Sequence, residues 1–329
     1  MLHFNINVLK LRDDICIDSL EWEYLSLNPC SINLLITRND KIDWRRLSEN
    51  ENAMHLVLKF SPNINWYNVS RYIDSNKLIL QYFSNIDWNS FSQNKNIIAL
   101  IFLSKNLDRV NWSFLSQNNN PYAVKILSEN IHKIDWTVFS NNTCPDAIKI
   151  LSQNIKKINW TLLSRNPCPD AIALLSQNVD KINWISISIN FNAYDLISQN
   201  LDKISWYLLS LNTCPKVYNI ILHNLDKIDF ELLSQNPNAI NLLSNNIDKI
   251  DWFRLSYNTN PNAINIFMQN LHKINWCHLS TNPNIFEIDY KFLKTRMNII
   301  SEELISTVFH PSRIARMLEN GMEIDHLLL

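Results

Sequence analysis

A single glycine, Gly321, stands in the 329 residues. Upstream of it no Gly-rich phosphate loop, dinucleotide fingerprint or Ser nucleophile elbow can form, because each needs backbone that only glycine allows. Many-stranded folds that turn on Asn-Gly or Asp-Gly are disfavoured for the same reason. The six cysteines (Cys16, Cys30, Cys144, Cys168, Cys214 and Cys277) include no Cys-x-x-Cys pair and have no histidine at zinc-finger spacing. Nothing in the chain calls for a metal or a cofactor. Excess charge is also missing. The formal net charge is −1, which argues against a strongly basic nucleic-acid binder. No run of eighteen apolar residues exists, so no membrane span is expected. The start, MLHFNINVLKLRDD, lacks the basic-then-apolar pattern of a signal peptide. These features fit a reduced, cytosolic protein. With 46% hydrophobic residues there is ample material for a core.

What the chain does have is a repeat. All eleven tryptophans lie in one register, Trp22, Trp44, Trp66, Trp88, Trp112, Trp136, Trp160, Trp184, Trp206, Trp252 and Trp276, and Phe230 fills the one gap. Successive members are 22 or 24 residues apart. Two residues earlier stands Ile or Val, such as Ile42, Ile64 or Val110 (Leu20 in the first copy). Immediately before most members comes Asp or Asn, as in Asp43, Asn65, Asp87, Asn111 and Asp135. An apolar residue follows three later, Ser four later in all twelve copies, and Asn six later in all but one, where Tyr72 takes its place. This reads as a short helix. Asp or Asn is its N-cap, the preceding Ile a hydrophobic staple, and the late Asn an αL C-terminal residue.

A second helix follows in each copy. Thirteen residues before the next Trp lies a small residue, among them Ser31, Ala53, Ala147 and Ala239, with Val217 bulkier. Pro145, Pro169, Pro237 and Pro261 sit two residues ahead of it, at the favourable first helical position, with Cys144, Cys168, Asn236 or Asn260 as caps. A unit this small cannot bury its own apolar face, whereas a stack of units can. The fold class implied is all-α: an α-solenoid of about twelve short two-helix repeats. At about 8–10 Å per unit, the array should be roughly 100 Å long. A leucine-rich-repeat horseshoe shares the period. Its strand, however, needs Asn where this repeat places Leu.

Residues 1–21 are expected to cap the array, 22–288 to form it, and 289–329 to make a C-terminal helical cap. Within that cap, 290–309 reads as one helix and 310–321 as another that stops at Gly321. The Ile-Asp-Trp-x-x-Leu-Ser-x-Asn-Pro repeat and the ending FHPSRIARMLENGMEID (309–325) resemble repeat proteins of giant DNA viruses of amoebae, the mimivirus-like group. The resemblance covers nearly the whole chain. It implies a viral protein made in host cytoplasm, placed there, in the viral factory or in the virion. It carries over no catalytic residues and no established activity.

Two columns are candidates for recognition. Three residues before the Trp register, eight consecutive copies read Arg109, Lys133, Lys157, Lys181, Lys203, Lys227, Lys249 and Lys273. Such a line could follow a phosphate backbone, or could be a solvated ridge neutralised by Asp180, Asp202, Asp226, Asp248, Asp229 and Asp251. The second column is apolar. Phe114, Val138, Leu162, Leu208 and Leu232 lie two after the register, and Ile185, Tyr207, Phe253, Ile189, Leu211 and Tyr257 lie one or five after. Exposed, they would form a strip fit for a protein partner. Otherwise they belong to the core between helices. The Ser column has no matching His column to activate it, and the aspartates are explained as caps, so the expected function is a non-enzymatic scaffold for a protein partner. An RNA-binding repeat adaptor and a minor virion component are the alternatives.

Overall fold

The computed structural model describes residues 8–308, 310, 312–314 and 316. The chain is mostly helical. Its only strands among the described residues are β1 (Leu9–Leu11) and β2 (Phe286–Ile288), both outside the repeats, so the horseshoe alternative falls away.

Each Trp opens a short helix, as in Trp44–Leu47, Trp112–Gln117 and Trp160–Arg165. The caps work as the residues before Trp imply. Asp43 accepts from Arg46 N, Asp87 from Ser90 N, Asn159 from Leu162 N and Asp251 from Arg254 N. The second helices include Pro121–Glu129, Pro145–Gln153 and Pro169–Ser176, each with proline in its first turn. Cys144 and Cys168 precede two of them but make no side-chain cap bond; they are buried as small apolar groups. A 3-10 turn such as Ile131–Lys133 or Ile155–Lys157 then leads to the next unit, a third element the spacing does not reveal.

The core runs through all the units. The position three after the register is fully buried throughout, from Leu25 to Leu279, and so is the Ala column. The tryptophans are half-buried and pack against this core from its edge.

Asparagine and serine join unit to unit. The Asn six after the register has no αL backbone: Asn118 has φ −75° and ψ 112°, Asn166 φ −72° and ψ 118°. Its side chain explains its recurrence. Asn142 Nδ2 donates to Ser116 O and Asn118 O of the preceding unit, both at 3.0 Å, while its Oδ1 accepts from Cys144 N. Asn166, Asn190, Asn212, Asn236, Asn258 and Asn282 repeat the pattern. The buried serines add a second link. Ser116 Oγ donates to Trp112 O at 2.7 Å and accepts from Asp135 N of the following unit at 3.1 Å.

The first unit makes these same bonds with the last. Asn28 Nδ2 donates to Ser280 O at 2.9 Å and Asn282 O at 3.0 Å, and Glu21 N donates to Ser280 Oγ at 3.0 Å. The chain therefore closes on itself, where an open array would hold its ends about 100 Å apart. β1 pairs antiparallel with β2 beside this seam, Leu9 opposite Ile288, and Arg12 N donates to Ile285 O at 3.0 Å. The exposed face of the last unit is thus filled by the first unit rather than by the helix that follows, Tyr290–Val308. The further helix expected over 310–321, with its stop at Gly321, lies mostly outside the described residues.

Two outcomes follow. In dilute solution, X-ray scattering should give a radius of gyration of about 20 Å, as for a compact chain of this length, against roughly 30 Å for a rod of about 100 Å. Replacing buried Asn142 with Ala should cost about 1–3 kcal/mol in urea unfolding, because it strands two carbonyls and an amide. Replacing its exposed neighbour Asn141 should leave the midpoint almost unmoved.

Candidate interaction surface

The candidate apolar residues divide by depth. Tyr207, Phe253 and Tyr257 are exposed, and so is Ile185 at 61%. Phe114, Val138, Leu162 and Leu208 are half-buried, together with Ile189 and Leu211. Leu232 is only 3% exposed and is removed from any contact role. The reason is helical geometry: two residues beyond the first helical position, a side chain turns partly towards the neighbouring unit, whereas one beyond it points away. Ile185, Tyr207 and Phe253 share that outward position in their units, with exposed Glu231 interrupting the line. Val138 and Leu162, with Gln117 and Asn141, line a shallow hollow of about 350 Å³ at earlier units of the array.

An aromatic chain crosses the seam on these helices. Phe253 meets the His278 ring at 4.4 Å between centroids, and Tyr257 hydrogen-bonds His278 Nδ1. His278 in turn packs edge-on to Tyr24 at 5.8 Å, over which Arg46 lies at 4.4 Å. Arg46 is itself paired with Glu23. Burial, and secondarily the Tyr24 phenol, push the Tyr257 hydroxyl above its ordinary pKa. Four units contribute to this chain. No sequence motif announces it, because its members come from opposite ends of the repeat array and meet only through closure.

All eight residues of the basic column are exposed. Six of them cover the aromatic ring of the preceding unit. Arg109 lies over Trp88 at 5.1 Å, Lys157 over Trp136 at 5.6 Å, Lys203 over Trp184 at 5.0 Å, Lys227 over Trp206 at 4.9 Å, Lys249 over Phe230 at 4.6 Å and Lys273 over Trp252 at 5.0 Å. The neutralising aspartates contribute less than their number implies. Asp180 pairs with Lys181 at 3.1 Å and Asp108 with Arg109 at 4.0 Å, while Asp229 and Asp251 are occupied in capping helices. Lys133 is exposed in the same line. The signal for the ring contacts was present in the sequence as two columns, basic and aromatic, lying 19 or 21 residues apart.

Most of the Ser column is structural, its hydroxyls held between two backbone groups as described for Ser116, while Ser48 Oγ accepts instead from the Asn68 side chain. Among the described residues no group of three or more His, Cys, Asp or Glu side chains is placed to hold a metal ion. Among them, too, no helix is long and apolar enough to cross a membrane. The chain matches no family model, no curated protein and no solved structure.

The Lys227–Trp206 contact gives a measurable coupling. Lys227→Met keeps the aliphatic stem and removes the cation, and should cost about 0.5–1 kcal/mol in urea unfolding. In a Trp206→Leu background the same change should cost almost nothing. Equal costs in both backgrounds would dismiss the ring contact as a source of stability.

Proposed function

We propose that the protein is a closed α-solenoid that acts as a non-enzymatic scaffold, holding a protein partner on the exposed side of its Trp helices. The observation that carries this reading is the line of solvent-facing Ile185, Tyr207, Phe253 and Tyr257 on helices fixed by buried hydrogen bonds. Large aromatic side chains on rigid backbone lose little entropy when covered, which is why such residues dominate binding energy at protein interfaces. The resemblance of the repeat to giant-virus repeat proteins supports a role in infection, in host cytoplasm, viral factory or virion.

RNA binding through the basic column is the second reading, favoured by eight exposed cations on successive units. It is weakened by their engagement. A lysine that covers a tryptophan must leave that ring, or share its charge, to reach a phosphate. The overall charge of −1 adds no long-range attraction.

Affinity capture from infected cells, with and without nuclease, separates the two readings. The scaffold reading expects a protein partner that survives nuclease and that Tyr207→Ala with Phe253→Ala weakens at least tenfold, a loss of about 1.4 kcal/mol or more. Capture that vanishes with nuclease, together with RNA binding that falls steeply as salt rises and is lost on changing Lys157, Lys181, Lys203 and Lys227 to Glu, would make the RNA adaptor the better answer.

A further inference from the structure

The helix Tyr290–Val308 is unlike every other helix among the described residues. It has 19 residues, where the repeat helices have nine or fewer, and spans about 28 Å. It begins after β2 with a regular cap, Asp289 Oδ1 accepting from Phe292 N at 2.9 Å. Beyond that cap it finds little cover. Of its described side chains only Leu293 and Arg296 are half-buried; the others are exposed, including Phe292, Met297, Ile299 and Ile300. In proteins most of a helix's stability comes from a packed face, which this helix largely lacks. Leu293, Met297 and Ile300 are spaced four and then three residues apart, the spacing of a seam between two helices.

The charges of this helix are segregated. Lys291, Lys294 and Arg296 occupy the first half, Glu302 and Glu303 the second. That order is opposite to the one a lone helix prefers, since cations sit towards its positive N-terminus and anions towards its negative C-terminus. An antiparallel partner of the same sequence reverses the disadvantage. With a two-fold axis near Asn298 and Ile299, Met297 of one copy faces Ile300 of the other. Lys294 and Arg296 then lie beside Glu302 and Glu303 of the second copy. A parallel pair would instead set like charges together.

We propose that this helix is a homotypic docking surface through which two copies of the chain pair antiparallel, leaving both closed repeat rings free to bind. The occupant is a second copy because a single sequence supplies the apolar seam and both halves of the charge pattern. The contact is isologous and closes at two copies.

The test is sedimentation of the full chain over a concentration series. The wild type should show a reversible monomer–dimer equilibrium. Lys294→Glu with Arg296→Glu should weaken it at least tenfold, and so should Glu302→Lys with Glu303→Lys. The four changes together restore opposite charges in the antiparallel register and should restore dimerisation to near the wild-type level. Ile300→Asp should abolish the dimer in either charge background. These positions lie outside the repeat core, and near-ultraviolet dichroism of the tryptophans verifies that the ring is intact in each variant. A chain that stays monomeric at its highest soluble concentration overturns the proposal. So does a dimer indifferent to these changes, or one that the fourfold variant fails to restore.

Discussion

A buried carboxamide has two N–H donors and an acceptor oxygen to satisfy, and each one left unpaired costs free energy. In this chain the two donors are met by a neighbouring unit. Asn142 reaches back to two carbonyls of the preceding unit and holds its own loop with the third bond. Apolar packing alone would let units slide past one another, because methyl groups in contact have no preferred register. The asparagine bonds, with the serine hydroxyls beside them, fix both spacing and rotation. No buried side-chain nitrogen or oxygen among the described residues lacks a partner. The units are thus coupled by a term that depends on geometry.

Closure follows from that coupling. A small fixed rotation at every joint accumulates, and after twelve units the last serine and asparagine carbonyls stand where the first asparagine needs them. An open end would leave these groups to water and an apolar face uncovered. The one departure from the pattern lies at the third unit, where Tyr72 replaces asparagine. There Asn68 Nδ2 donates to Ser48 Oγ at 2.9 Å, a side-chain contact in place of a pair of backbone ones. The joint between Trp44 and Trp66 therefore carries less of the directional bonding than its neighbours. By contrast the seam between the last and first units is bonded by the ladder and fastened again by β1 and β2.

Much of the fold could be read from the sequence because it is local. Asp43, Asn65 and Asp87 cap helices over three residues, and Pro121, Pro145 and Pro169 open others. The small-residue column and the position three after Trp announce burial by recurrence alone. The recurring asparagine was misread for a physical reason: its residue type suits both an αL backbone and a bridging amide, and only the position of the neighbouring unit distinguishes them. Closure was hidden because rotation per unit arises from packing and leaves no residue-type signature. Leu232 shows a finer limit. It occupies the same column as half-buried Val138 and Leu162, yet its own neighbours cover it. The ring contacts of Lys203 and Lys227 were in view as periodic columns, but the pairing of a lysine with the previous unit's tryptophan needs the stacking distance as well.

Closure also governs where recognition can occur. An open solenoid can bind along a concave groove and at its two terminal faces. This chain bonds its first unit to its last, so the proposed partner would meet side chains that project from the helices or segments that leave the repeats. The basic column projects, yet much of it lies flat on tryptophan rings, where each cation stabilises its own joint. Binding a polyanion there would compete with internal contacts at each unit in turn. Ile185 and Tyr207 are more exposed, so a protein surface that covers them gains apolar burial, while Phe253 keeps about half its surface exposed although it already packs on His278. The physical asymmetry between the two columns is therefore one of prior commitment: most of the cations are already used by the fold, whereas Ile185 and Tyr207 offer apolar surface that it leaves exposed.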